Sequence, residues 1–235
     1  MSNETGKKGG AGSYASPPCL AHEIDPAYFD PMAVDPEQAH DVARWRKAKR
    51  QELLAARKTR SVEEHGAASQ RIADRVAEIL QQRFNGAKGL TFSAYWPIKG
   101  EPNLRPLMET LHHESVRIAL PVVVTKAAPL EFRLWTPEMK MVRGDWNIPV
   151  PPDDAPVLRP HIALAPLVGW DRGLYRLGYG GGYFDRTLAA LDPPPFKIGV
   201  GYASAELETI FPQPHDIPMD MIVTEDAAFP AGHST

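Results

Sequence analysis

His161-Ile-Ala-Leu-Ala-Pro-Leu-Val-Gly-Trp170 is an apolar run, and it is followed by Arg176-Leu-Gly-Tyr-Gly-Gly-Gly-Tyr-Phe-Asp185. The run has the length and composition of a buried strand. In the second stretch Gly178, Gly180, Gly181 and Gly182 fall within five positions, and the segment after it, Tyr183 to Leu191, reads as a helix. A strand, a glycine loop and a helix start in that order make an anion site. Glycines let backbone N–H groups approach a ligand, and a helix N-terminus favours negative charge. Arg176 precedes the loop and Asp185 follows it, which suggests a phosphate cradle with a cation site beside it. The loop is not a Walker A motif, because no Gly-Lys-Ser/Thr follows. It is not a dinucleotide fingerprint either, because Tyr183 stands where the third glycine is required. The plain alternative is a glycine-rich turn that only reverses the chain.

On both sides of this stretch strands alternate with helices. Leu90 to Trp96, Val116 to Val124, Leu130 to Trp135, His161 to Val168, Lys197 to Tyr202 and, as the last, Met219 to Thr224 read as strands. Asp35-Pro36 opens a basic helix that runs to about Lys58. Ser61 and Glu64 form a capping box, after which Ala68, Ile72, Val76 and Ile79 recur at helical spacing. Leu104 to His112 reads as a short helix. This order predicts a single α/β domain over residues 36–235 with a mainly parallel sheet and a ligand at the carboxyl ends of its strands. Residues 1–35 are expected to be a disordered or loosely docked extension.

At 235 residues the chain is long enough for a sizeable core. A net charge of −3 leaves no electrostatic footprint for nucleic acid. Cys19 is the only cysteine, which excludes a disulfide framework and a thiolate metal cluster. No apolar run reaches membrane-spanning length, and Met1 to Ser16 lacks the apolar core of a signal peptide. The expectation is a soluble cytoplasmic protein, monomeric, with no nucleic-acid or membrane partner.

Several residues have the right chemistry for a site around the loop. Arg46 and Arg50 are four apart and share a helix face, where two guanidinium groups can clamp phosphates; the alternative is a solvated basic face. Glu101, just after the first strand, can accept N–H groups of a polar heterocycle. Trp96 and Trp146 offer flat surfaces for stacking, or for packing. Asp185 can hold Mg²⁺ against phosphates, with either Asp216 or Asp220 as a second carboxylate. His112-His113 lacks zinc-site spacing, and the chain has no Gly-x-Ser-x-Gly elbow.

Taken in order, these pieces resemble the 5-formyltetrahydrofolate cyclo-ligase family, also called methenyltetrahydrofolate synthetase. The resemblance covers about Arg46 to Asp226. It rests on Arg176 to Asp185 and on Pro214-His-Asp-Ile-Pro-Met-Asp-Met-Ile-Val-Thr-Glu225. Gly144-Asp-Trp-Asn-Ile-Pro-Val-Pro151 and Tyr95-Trp-Pro-Ile-Lys-Gly-Glu101 support it. It implies a three-layer α/β/α fold, NagB/RpiA/CoA-transferase-like, and a ligase of folate one-carbon metabolism. That enzyme would convert 5-formyltetrahydrofolate, possible polyglutamylated forms included, to 5,10-methenyltetrahydrofolate with ATP and Mg²⁺, releasing ADP and phosphate.

Carried over by motif, the resemblance implies Arg46, Arg50, Arg176 and Tyr183 as catalytic residues. It implies an ATP site of Arg46 (or Lys47, if the register shifts), Arg50, Arg176, Leu177, Gly178, Tyr179, Gly180, Gly181, Gly182, Tyr183 and Phe184. The folate pocket would comprise Trp96, Glu101, Trp146, Tyr179 and Tyr183, and the magnesium carboxylates would be Asp185 and Asp220. The implied chemistry is attack of the formyl oxygen on the γ-phosphorus, followed by ring closure from N10 and loss of phosphate. Where family members often carry a glutamine after the Lys197 strand, this chain reads Ala203-Ser-Ala-Glu206. The alternative is a non-catalytic folate or nucleotide binder of the same fold.

Overall fold

The computed structural model describes residues 36–232, so the expectations for residues 1–35 and for Asp35 as a helix cap lie outside the described residues. The chain divides into two units, residues 1–45 and 46–235. The described part of the first is the opening of helix α1 (Pro36–Lys58), where Arg44 bonds Asp41 at 2.5 Å. The second unit is an α/β assembly that begins within α1.

After α1 come α2 (Val62–Phe84), β1 (Thr91–Ser93), α3 (Arg105–His113), β2 (Arg117–Val122) and β3 (Glu131–Trp135). The short β4 (Val142–Arg143) and β5 (Pro149–Val150) follow, then β6 (Ile162–Pro166), β7 (Gly169–Asp171) and β8 (Arg176–Leu177). Helix α4 (Tyr183–Ala190), β9 (Phe196–Val200), β10 (Glu206–Leu207), β11 (Met221–Val223) and β12 (Ala228–Pro230) complete the order.

The main sheet has seven strands in the order β12-β11-β9-β6-β1-β2-β3. Its five inner strands are parallel, and the edge strands β3 and β12 run antiparallel. A parallel sheet buries both faces, and β6 shows how. Ile162 and Leu164 enter one apolar cluster with Ile72, Val76 and Leu80 of α2 and Leu107, Met108 and Leu111 of α3. Ala163 and Ala165 turn to the other face. There they join Leu167, Trp170, Leu188 of α4 and Met219, with Leu53 of α1 packed alongside. This gives the three layers. The capping box forms as the sequence requires: Ser61 Oγ accepts from Glu64 N, and Glu64 accepts from Ser61 N at 2.6 Å.

Three features differ from the sequence reading. The strand that leads into the glycine loop is β8, not the apolar run at 161–168, and it belongs to a separate sheet ordered β10-β7-β8. The apolar run supplies both β6 and β7, because the chain leaves the main sheet after Pro166. Met221–Val223 is not the last strand, since Ala228–Pro230 returns antiparallel to it. The first strand ends at Ser93 rather than Trp96, where the backbone turns into the loop that carries Glu101.

Close packing at the end of β9 is testable. A Cβ on Gly201 would overlap Cδ1 of fully buried Leu167 and lie 2.7 Å from its Cγ. Gly201→Ala is expected to destabilise the protein by about 1–3 kcal/mol, as overpacked cores do. Equilibrium urea unfolding of the two proteins measures this.

Candidate active site

A cavity of about 550 Å³ opens at the carboxyl ends of β1, β2 and β6. Its wall includes side chains of α1, the β1–α3 loop, the β4–β5 hairpin, the glycine loop and the 215–216 segment. Its volume lies within the range typical of small-molecule sites.

The α1 arginines enter this wall by helical spacing. Arg46 is buried and bonded through all three nitrogens: its Nε donates to Ile210 O at 2.9 Å, Nη2 to Phe211 O at 2.8 Å and to Asp216 at 2.5 Å, and Nη1 to Asp216 at 3.3 Å. One turn on, Arg50 among the described residues uses only Nε, in a bond with Gly178 O at 2.6 Å. Burial depresses the Arg50 pKa, the neighbouring Arg46 charge adds to this, and Asp216 opposes it. An arginine stays charged regardless, so an arriving anion would relieve this guanidinium. Gly180 has φ +99°, and a Cβ there would come within 3.4 Å of the Arg50 guanidinium, so the loop backbone lies directly beneath that charge.

The loop reaches α4 through Gly182, which caps the helix with φ +63° and no side-chain hydrogen bond. The first-turn amides of α4 therefore remain open to a ligand. Arg176 is buried behind the loop. It donates to Asp185 at 2.8 Å and stacks on Phe184, while its Nε has no partner. Burial lowers its pKa, with Asp185 and then Asp216 opposing.

Across the cavity Glu101 sits on a tight turn, with Lys99 and Gly100 both left-handed at φ 48° and 72°. Its Oε2 accepts from Ile98 N at 2.9 Å, while buried Oε1 has no partner. Burial pushes the carboxyl up to about 7, partly offset by the Ile98 N–H, the Tyr179 hydroxyl, Arg57 and Lys99. The Tyr179 ring carries Lys99 Nζ over its face at 5.1 Å. Trp96 is covered on one face by Arg105, at 5.2 Å. Trp146 is 68% exposed at the tip of the β4–β5 hairpin, left-handed at φ 54°, with its ring edge-on to Tyr183 at 5.6 Å.

The cavity thus brings together Arg46, Arg50, Trp96, Glu101, Trp146 and every residue from Arg176 to Asp185. Two expected residues are not among its lining. Lys47 is solvent-exposed, one residue along α1 from Arg46. Asp220 is a correction. It precedes β11 and so lies at the amino ends of the parallel strands, opposite the cavity, where Lys197 N–H and Nζ bind it at 2.7 and 3.0 Å. Asp216, the other acid of that segment, lines the cavity instead. Ala205, near the expected glutamine, is buried in the second apolar cluster and not in the cavity wall. Sequence reasoning missed Arg57, which bonds Leu167 O at 2.7 Å and reaches the Tyr179 hydroxyl at 3.4 Å. Its spacing of seven from Arg50 was the available signal.

Residues 42–225 match the profile of the 5-formyltetrahydrofolate cyclo-ligase family. The chain belongs to this family. The family is one of ligases. The protein named 5-formyltetrahydrofolate cyclo-ligase in Mycolicibacterium smegmatis is 31% identical over 158 residues, 63% of this chain and 81% of that one. Its Escherichia coli K12 namesake is 30% identical over 57% of this chain and 77% of its own length. The NMR structure of Aquifex aeolicus 5,10-methenyltetrahydrofolate synthetase superposes with a TM-score of 0.68 at 26% identity, covering 81% of this chain and 94% of that one. The Mycoplasma pneumoniae structure of the same name shares the fold, with a TM-score of 0.63 at 24% identity over 77% and 98%. Among the described residues no helix is long and apolar enough to cross a membrane.

The raised Glu101 carboxyl has a consequence for stability. The folded protein holds this proton up to about 7, whereas the unfolded chain releases it near 4.5. The contribution is full below pH 4.5 and is lost as pH rises through 7, at most roughly 3 kcal/mol. Glu101→Gln should remove that loss. The stability difference between variant and wild type, measured by urea unfolding from pH 5 to 8, should shift in favour of the variant as pH rises.

Proposed function

We propose that this chain cyclises 5-formyltetrahydrofolate to 5,10-methenyltetrahydrofolate, consuming ATP with magnesium and releasing ADP and phosphate. The observation that carries the reading is one cavity with two unlike poles. At one pole, Arg50 with free terminal nitrogens, the glycine loop and the uncapped start of α4 suit a polyphosphate. At the other, Glu101 with an unpartnered buried oxygen suits a heterocycle that offers N–H donors.

Within this reading ATP supplies the phosphoryl group that makes the formyl oxygen a leaving group. Arg50 and the loop amides hold the phosphates by charge and by N–H donation. Glu101 accepts from the pterin ring and fixes its rotation, so that N10 faces the reacting carbon carried on N5. Trp96, Tyr179, Tyr183 and Trp146 give the ring system apolar walls and exclude water. Arg46 acts indirectly, by holding Asp216 in the wall.

The residues present fit magnesium in part. Asp185 and Asp216 both line the cavity, and magnesium commonly takes one or two carboxylates plus phosphate oxygens. Each already has an arginine partner but keeps further lone pairs for a cation. When bound there the ion would supply neutralisation of phosphate charge.

The purified protein, mixed with 5-formyltetrahydrofolate and MgATP, is expected to form the methenyl product, followed by its absorbance, and to form none without ATP. No product in the complete mixture would overturn the reading. Arg50→Ala should raise KM for ATP about tenfold or more, the loss of a charge-assisted contact. KM for the folate should change far less; a selective rise in the folate KM would contradict the assignment of Arg50.

A further inference from the structure

The turn that carries Glu101 separates the main cavity from a second groove. This groove, about 590 Å³, runs between α2 and α3 and also has Gly100 and Glu101 in its wall. Two consecutive left-handed residues make the turn conformationally demanding, because Lys99 has a Cβ and φ 48°. Side chains from three elements hold its backbone. Ser69 Oγ of α2 accepts from Asn103 N at 2.9 Å. Tyr95 Oη, after β1, donates to Pro102 O at 2.9 Å. Tyr202 Oη, after β9, donates to Gly100 O at 3.0 Å, and His65 Nδ1 of α2 lies 2.8 Å from the same hydroxyl.

Proton counting assigns the direction of this last chain. The Gly100 carbonyl can only accept, and a phenol has a single hydrogen. The Tyr202 hydrogen is therefore used on Gly100, and His65 Nδ1 must carry the hydrogen directed at Tyr202. Burial holds the Tyr202 hydroxyl up to about 12, so it remains a donor at ordinary pH. Its ring is fixed in turn by Arg60, whose guanidinium lies over it at 4.3 Å and reaches Glu225 at 3.1 Å. The imidazole also lies directly against the turn, since a Cβ on Gly100 would be 3.2 Å from His65 Cε1. Neither His65 nor Tyr202 lines the main cavity.

We infer that His65 and Tyr202 are positioning residues, a hydrogen-bond chain from His65 Nδ1–H through Tyr202 Oη–H to the Gly100 carbonyl that aims Glu101 at the heterocycle. This deepens the proposed function and rests on its assignment of Glu101 to the folate. The chain acts on substrate affinity at one pole of the cavity and leaves the phosphate pole untouched.

The test compares Tyr202→Phe, His65→Leu and His65→Asn with wild type, because an asparagine amide can place a donor near the Nδ1 position. Tyr202→Phe and His65→Leu should raise KM for 5-formyltetrahydrofolate about fivefold, the effect of losing a single hydrogen bond. The KM for ATP and kcat should stay within about twofold, and His65→Asn should recover most of the loss. Independently of turnover, ¹³C NMR titration of the Glu101 carboxyl, assigned by its disappearance in Glu101→Gln, should show its midpoint falling from about 7 in Tyr202→Phe and His65→Leu as water reaches the released turn. An unchanged midpoint, equal rises in both KM values, or His65→Asn behaving like His65→Leu would overturn the inference. If Tyr202→Phe does not fold, the two His65 variants decide by the same criteria. Absence of methenyl product from wild type would overturn the proposed function alone, since the titration reads the turn without catalysis.

Discussion

Arg46 joins helix α1 to the segment before β11 by hydrogen bonds to Ile210 O, Phe211 O and Asp216. Burying a guanidinium and a carboxylate together has a desolvation cost that is offset only when nearly every donor finds an acceptor. Here all three guanidinium nitrogens are bonded and the pair is held at 2.5 Å. The rest of the site depends on this join. It sets the rotation of α1 about its own axis from Arg46 onward, and that rotation puts Arg50 against the glycine loop and Arg57 beside Tyr179. It also presents Asp216 to the cavity.

The glycine loop depends on a second device, the small β10-β7-β8 sheet. The chain leaves the main sheet after Pro166, reverses through β7 and β8, and delivers Gly178 to Gly182 beside the carboxyl ends of the parallel strands. Main-chain space there is tight. A Cβ on Gly178 would meet Arg176 at 2.6 Å, and one on Gly182 would meet Arg186 at 2.7 Å. Those atoms are the ends of flexible side chains and can shift, so the firmer demand for glycine comes from the left-handed backbone at Gly180 and Gly182, φ +99° and +63°.

Polar groups in the cavity wall are left with capacity to spare. Arg50 has one bonded nitrogen, Arg176 Nε has no partner, and Glu101 Oε1 has none. Unpaired buried groups are expensive in an empty site and become binding energy when a complementary ligand arrives. The distribution is asymmetric, cationic at the loop and acidic at the β1–α3 turn, as the proposed function requires. The pinned turn at Gly100 and the buried arginines show the fold spending packing and hydrogen bonds on holding those groups still.

Local chemistry was legible in the chain. Ser61 with Glu64 announced the start of α2, the stripe from Ala68 to Ile79 announced its buried face, and the glycine cluster between Arg176 and Asp185 announced a loop that enters the cavity wall. Those readings depend on residues within one helix turn or one loop, where backbone sterics and capping decide the outcome. Arg46, Arg50 and Glu101 were legible as candidates, because helical spacing and position after a strand are sequence properties. The tertiary structure decided which acid faces the cavity. Asp216 and Asp220 are four residues apart with the same chemistry, and only the path of the connection into β11 puts Asp216 in the cavity wall and Asp220 beside Lys197. It also decided that β8 leads into the loop, that Ala205 packs in the core, and that His65 meets Gly100 through Tyr202, since these contacts join residues far apart in sequence. By itself the sequence determined the fold class, the α2 cap and the glycine loop. The pairing of buried charges and the aim of Glu101 required the folded chain, because they are set by long-range packing that no local pattern encodes.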